Sequence, residues 1–247
     1  MKVYFIGAGP GNAELITVKG ARLIGECQVI IYAGSLVNPD ILKYASEDAE
    51  IHDSAPLNLD EIIEIIKKAH KDGKNVARVH TGDPSLYGAT GEQMAELNRH
   101  GIEYETIPGV TSMAASAAAA NVELTMPEIS QTVTITRTPG RTPMPEELSN
   151  IANVGGTIAF FLSAGQGEYI TKVLTENGWN ADTPVVLVYR ASWEDQKIAR
   201  CVLYDLDKTL KKNGMTKQTM ILVGKAVGGT PENYSKLYDR AFSHEYR

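Results

Sequence analysis

The residues best suited to chemistry lie in the run Val79-His80-Thr81-Gly82-Asp83-Pro84-Ser85-Leu86-Tyr87-Gly88. An apolar stretch ends at Val79, so the segment reads as the end of a buried strand turning into a helix. A tight Gly-Asp-Pro turn there places backbone donors, a carboxylate and an aromatic ring at one sheet edge, where open α/β sheets bind ligands. Gly7-Ala8-Gly9-Pro10-Gly11, after the apolar run Val3 to Ile6, presents the same kind of edge. Two such loops on one sheet point to a small-molecule site more strongly than either alone. Asp83 has two readings: a turn residue that holds its own loop, or an acceptor for a ligand hydroxyl or amino group. The second glycine loop favours ligand contact.

The first loop resembles a dinucleotide fingerprint and fails it. The third glycine of Gly-x-Gly-x-x-Gly would fall at Asn12, and the acid that should close the second strand is replaced by Gly34-Ser35. Nicotinamide and flavin binding are therefore disfavoured, and a plain structural turn remains the alternative. Thr111 and Ser112 open an alanine-rich helix, where hydroxyls cap the helix or touch a ligand. Arg137 and Arg141 stand on a proline-stiffened loop, Thr138-Pro139-Gly140-Arg141-Thr142-Pro143. Arginine matches carboxylates bidentately, so the loop suits an acidic ligand; a solvated loop paired with Glu146 or Glu147 is the other reading. His80 ends its strand beside the Gly-Asp-Pro turn and reads as a packing group. The histidines show no metal spacing, and no Gly-x-Ser-x-Gly elbow or Walker loop is present.

The chain around these loops is that of an ordinary globular enzyme. Its 247 residues are 43% hydrophobic and 22% charged, with a net charge of −6 and a pI of about 5.4. An acidic chain of this kind lacks the basic face on which nucleic-acid affinity rests. Cys27 and Cys201 are far apart and fit no zinc or disulfide pattern, which suits a reducing cytoplasmic setting. No secretory leader is read at the N-terminus, and no apolar run reaches the ~18 residues of a membrane span.

Periodicity supplies the elements that carry the loops. Short apolar runs predict strands at Val3 to Ile6, Val29 to Tyr32, Val76 to Val79 and Tyr104 to Ile107. Helical spacing is read over Leu15 to Glu26, Gln93 to His100 and the segment after Asn58, where Glu61 completes a capping-box pattern. Glu123, Pro127 and Glu128 break the pattern. This gives an N-terminal α/β domain at 1–120, a linker at 121–130, a C-terminal α/β domain at 131–227 and a tail at 228–247. In the second domain, strands are read at 132–136, 157–162, 184–189, 197–203 and 219–223, with helices near 168–177 and 206–213.

Taken together, Gly7 to Gly11, Gly82 to Pro84 and Pro108-Gly109-Val110-Thr111-Ser112 resemble the signature loops of the tetrapyrrole methyltransferase family, over nearly all of residues 1–227. Within it, Thr136 to Pro143, Phe161-Leu162-Ser163, Tyr189 to Trp193 and Ser235 to Asp239 resemble members that methylate carbon 11 of precorrin-4 or cobalt-precorrin-4. Arg240 departs from the proline expected there. The resemblance implies two α/β domains of the tetrapyrrole methylase type with the active-site cleft between them. It further implies a homodimer, a tetrapyrrole substrate and S-adenosyl-L-methionine as cofactor. Carried over by motif, Pro10, Gly82, Asp83, Tyr87, Thr111 and Ser112 would line the cofactor from the first domain. Leu162, Tyr189, Arg190, Ala191, Thr219 and Met220 would do so from the second, and Arg137 and Arg141 would face substrate carboxylates. Neither a catalytic residue nor a protein metal site is implied. Another precorrin or uroporphyrinogen III as substrate, and a non-enzymatic nucleoside-binding module, are the alternatives.

Overall fold

The structure, a computed structural model, describes residues 1–140 and 142–229. The chain folds as two compact units, residues 1–115 with 192–194 and residues 116–191 with 195 onward. The expected tail beyond Gly229 and Arg141 lie outside the described residues.

In the first unit, β1 (Val3–Gly7), β2 (Val29–Tyr32), β3 (Glu50–Asp53), β4 (Val76–His80) and β5 (Tyr104–Ile107) form one sheet in the order β3-β2-β4-β1-β5. All pairings are parallel, as strands apolar on both faces require. Alternation sorts the side chains. Ile6, Ile30, Ala77 and Val79 cluster with Leu23 and Ile24 of α1 (Val18–Glu26). Val3, Phe5, Ile31 and Val76 cluster with Ile62, Ile63 and Ile66 of α2 (Leu59–Lys71) and Leu97 of α3 (Thr90–Arg99). The crossover after β1 therefore leaves on one face and the crossover after β4 on the other. Because β1 and β4 are neighbours, their C-terminal ends frame a topological switch point, the usual ligand position in such sheets.

The predicted capping box opens α2. Asn58 Oδ1 accepts from the Glu61 N–H at 3.0 Å and Glu61 Oε2 from the Asn58 N–H at 2.8 Å. Acids in the first turn and Lys68, His70 and Lys71 in the last complement the helix dipole. α3 starts at Thr90 rather than Gln93. Strand β3 is absent from the sequence reading because Glu50-Ile51-His52-Asp53 is a mostly exposed edge strand and shows no apolar run.

In the second unit, β6 (Val133–Arg137), β7 (Thr157–Phe161), β8 (Pro184–Tyr189), β9 (Lys197–Val202) and β10 (Thr219–Val223) form a mixed sheet in the order β6-β7-β10-β8-β9. Only β6 and β7 pair in parallel. The helices α5 (Leu148–Val154), α6 (Gly167–Glu176) and α7 (Leu206–Lys212) share one apolar cluster with β7, β8 and β10. Leu148, Ile151 and Ala152 bury α5, a stripe too short in seven residues to register as a helical period. Between the units the chain runs through α4 (Ser112–Ala120). Among the described residues no helix is long and apolar enough to cross a membrane.

Three polar side chains are buried on the α2/α3 side of β4: Arg78, His80 and Gln93. His80 packs its ring 5.8 Å from that of Phe5, and burial, reinforced by Arg78, pushes its pKa from 6.5 down to about 3. The folded chain thus keeps His80 neutral where the unfolded chain protonates it. Stability contributed by the neutral ring is complete above pH 6.5 and is lost as pH falls toward 3. By pH 5 the loss is about 2 kcal/mol. Urea unfolding of wild type and His80→Gln at pH 7 and pH 5 should show a clearly smaller pH dependence in the variant; equal dependence would refute this assignment.

Candidate active site

The loops after β1, β4 and β5 meet as bare backbone. Gly9 and Gly82 pair reciprocally, with Gly82 N–H to Gly9 O at 2.7 Å and Gly9 N–H to Gly82 O at 3.3 Å. A Cβ at Gly7 would sit 2.6 Å from both Gly109 Cα and Gly82 O, and one at Gly109 would strike Gly82 O. These are main-chain atoms that cannot swing aside, so the approach requires glycine. A Cβ on Gly82 itself would lie 3.8 Å from Ser112 N and 3.9 Å from Thr111 Cα, which places that loop against the start of α4. Thr111 Oγ1 accepts from the Met113 N–H at 3.4 Å, the capping role expected of a hydroxyl there.

Asp83 locks the arrangement. Its Oδ2 accepts from the Gly109 N–H at 2.9 Å, and its Oδ1 from the Ser85 N–H at 2.8 Å and the Ser85 hydroxyl at 2.5 Å. Desolvation pushes its pKa up, but these hydrogen bonds outweigh it and hold the carboxyl below its ordinary value. Oδ2 therefore ties the loop after β5 to the loop after β4, and Oδ1 fixes the turn of Asp83's own loop. Farther along, Tyr87 and Ala89 take left-handed backbone conformations (φ 55° and 47°), and Tyr87 is 45% exposed.

Pro10 and Gly11 meet a partner that local sequence patterns do not reveal. Trp193 Nε1 donates to Pro10 O at 2.9 Å, Ser192 Oγ accepts from the Asn12 N–H at 2.9 Å, and a Cβ on Gly11 would overlap the Trp193 ring. Residues 192–194 thereby belong to the first unit although their neighbours belong to the second.

The second set of sequence-derived residues gathers at one end of the second sheet. Arg137 and Phe161 are register partners at the ends of β6 and β7, and Tyr189 pairs with Thr219 at the end of β8 and start of β10. Arg190 continues from β8, with its N–H on Gln218 O at 2.9 Å and Nη1 on Asp195 Oδ2 at 2.5 Å. Ala191, Thr219 and Met220 are buried, whereas Leu162 is 73% exposed at φ 53°. Ser163 sets that turn. Its hydroxyl donates to Phe161 O at 2.6 Å and accepts from the Thr138 N–H at 2.8 Å. Left-handed residues other than glycine, here Leu162 and Arg190, concentrate at functional loops where the surrounding structure compels them. Arg137 turns back on its own loop, donating to Thr138 O at 3.2 Å, Thr142 O at 3.4 Å and Pro143 O rather than to Glu146 or Glu147.

The loops 7–12, 80–88 and 108–112 contain no lysine or arginine. They suit a ligand without phosphates, and among the described residues no cluster of His, Cys, Asp and Glu could hold a metal ion.

A family model for the tetrapyrrole (corrin/porphyrin) methylases matches residues 2–207. The chain belongs to this family. A cobalt-precorrin-4 C(11)-methyltransferase of Methanocaldococcus jannaschii is 52% identical over 100% of this chain and 96% of its own. A precorrin-4 C(11)-methyltransferase of Pseudomonas aeruginosa is 45% identical over 100% and 99%. Among solved structures, the cobalamin biosynthetic enzyme cobalt-precorrin-4 methyltransferase superposes with a TM-score of 0.90 at 47% identity, covering 93% of this chain and 96% of that one. The uroporphyrin-III C-methyltransferase of Thermus thermophilus, solved with S-adenosylhomocysteine, gives 0.77 at 27% identity, covering 92% and 93%. The tetrapyrrole methylase fold read from the sequence is therefore the fold of this chain.

Asp83→Ala strips acceptors from Gly109 and Ser85, at a cost of about 1–3 kcal/mol. A Tm lower by at least about 2 °C in thermal unfolding is expected; an unchanged Tm would show the carboxylate ties nothing.

Proposed function

We infer that the chain methylates carbon 11 of precorrin-4 or cobalt-precorrin-4 in cobalamin biosynthesis, with S-adenosyl-L-methionine as methyl donor. The observation that carries the reading is the end-to-end likeness to curated enzymes of that activity, at 52% and 45% identity. The loop chemistry fits the donor: backbone groups at a switch point, an exposed tyrosine and no basic residue for a phosphate.

The bound donor supplies an electrophilic methyl group on a sulfonium, open to in-line attack by a nucleophilic ring carbon. The chain's part is to hold both reactants. Pro10, Gly82, Tyr87, Thr111 and Ser112 are proposed to meet the cofactor from the first unit, with Asp83 shaping the loops they stand on. Leu162, Tyr189, Arg190, Ala191, Thr219 and Met220 are the candidates in the second. Orientation of this kind supplies up to ~7–11 kcal/mol of a barrier. The macrocycle provides the electron pair, so no protein nucleophile is called for. Cys27 is unsuited to be one, since burial and the neighbouring Glu26 push its thiol up to about 12. For substrate carboxylates we propose Arg141. The same reading makes the protein a cytoplasmic homodimer, which light scattering of the purified chain tests.

Incubation with S-adenosyl-L-methionine and, separately, precorrin-4, cobalt-precorrin-4 and uroporphyrinogen III should yield a product heavier by one methyl group from one or both of the first two. Methylation of uroporphyrinogen III alone would overturn the substrate assignment. Calorimetry with S-adenosylhomocysteine reads the cofactor separately, and no binding at millimolar ligand would remove it. Arg141→Ala should raise KM for the tetrapyrrole by about 10- to 150-fold and leave that for the cofactor within about two-fold, given ~1.5–3 kcal/mol for a charge-assisted bond. Equal effects on both would place the loop elsewhere.

A further inference from the structure

Arg78 and Gln93 are 5% and 4% exposed, and the resemblance assigns neither a role. The Arg78 guanidinium meets neutral acceptors: Nε donates to Gln93 Oε1 at 3.0 Å and Nη1 to Ile31 O at 3.4 Å. Burial alone pushes its pKa down to about 10, so it stays charged at neutral pH in an apolar layer. Such a group is costly, and methionine or leucine at both positions would fill the layer without that cost. What the polar pair adds is a directed donor. Gln93 Nε2 reaches Ala89 O at 3.0 Å.

Ala89 is the N-cap residue of α3 and makes no side-chain capping bond. It is left-handed, as is Tyr87 two residues earlier. Non-glycine residues in sparsely populated backbone regions cost of order 1–3 kcal/mol each and persist only where the surroundings over-determine them. Around this segment the Leu86 N–H bonds to Asp83 O at 3.2 Å and Thr90 Oγ1 to Pro84 O at 3.3 Å. From the α3 side, Gln93 Nε2 holds Ala89 O. Gln93 is held by Arg78, and Arg78 by the neighbouring strand β2.

We propose that Arg78 and Gln93 are positioning residues, a buried bracket that fixes residues 87–89 so that Tyr87 stands in the orientation in which it meets the cofactor. The cofactor contact at Tyr87 rests on the functional reading above; the bracket itself rests on the geometry of β4, α3 and the loop between them.

Gln93→Glu separates this role from plain stability. The carboxylate keeps the acceptor for Arg78 and forms a charged pair with it, but it no longer donates to Ala89 O. The expected result is a Tm equal to or above that of wild type, with S-adenosylhomocysteine affinity about 3- to 10-fold weaker by calorimetry, the loss of one hydrogen bond. In a Tyr87→Ala background the same substitution should change affinity less than two-fold, because its effect runs through Tyr87. Wild-type affinity in Gln93→Glu, or losses that simply multiply in the double variant, would overturn the proposal. If Gln93→Glu does not fold, Arg78→Met/Gln93→Met keeps the volume and removes the bracket, and is judged by the same affinity criterion. Should wild type itself fail to bind S-adenosylhomocysteine, the cofactor reading falls. The bracket is then decided by hydrogen exchange at the amides of residues 87–90, which is faster in the variants if it holds the loop and unchanged if it does not.

Discussion

Main chain packed directly on main chain is the constraint from which the first unit's binding edge follows. Gly7, Gly82 and Gly109 come from three strand ends that side chains would hold apart. Without a Cβ between them, the loops after β1 and β4 close into a two-residue bridge, and the loop after β5 comes within reach of the Asp83 carboxylate. One carboxylate then does for loops what a ladder does for strands, offering fixed acceptors to N–H groups from two segments. The cost of so many glycines is backbone freedom in the unfolded chain, and the Asp83 bonds offset part of it.

Charged and amide side chains elsewhere are used in the same manner. Arg137 binds carbonyls of the turn it introduces, and Arg200 of β9 donates to Ala120 O at the end of α4 at 2.5 Å. Beneath the Gly-Asp-Pro loop, Arg78 and Gln93 do so out of contact with water. In each case a side chain fixes the path of the backbone.

Much of this was legible in the sequence. The apolar runs marked nearly every buried strand, with Tyr104–Ile107, Pro184–Tyr189 and Thr219–Val223 matching to the residue. The capping box at Asn58 and Glu61 showed where α2 begins, since both partners lie within one turn. What escaped was either weakly patterned or distant. β3 is an exposed edge, and α5 has a short buried stripe. The inward turn of Arg137 depends on carbonyls whose direction no residue type encodes. Of the site, Gly82 and Asp83 could be picked out because turn chemistry is local. Ser192 and Trp193 stand in a segment that the family resemblance marked, but what they do could not be read there, because it is defined by residues about 180 positions away.

That separation orders events in time. A chain emerging from the ribosome has all five strands of the first sheet by Ile107, and domains generally begin folding N-terminal first. The indole on Gly11 and the hydroxyl that receives the Asn12 amide arrive only with residues 192 and 193. Until then Pro10 O and Asn12 N–H lack the partners they have in the folded chain. The first loop of the protein is thus among the last to reach its final shape, and no nascent chain shorter than 193 residues can complete it.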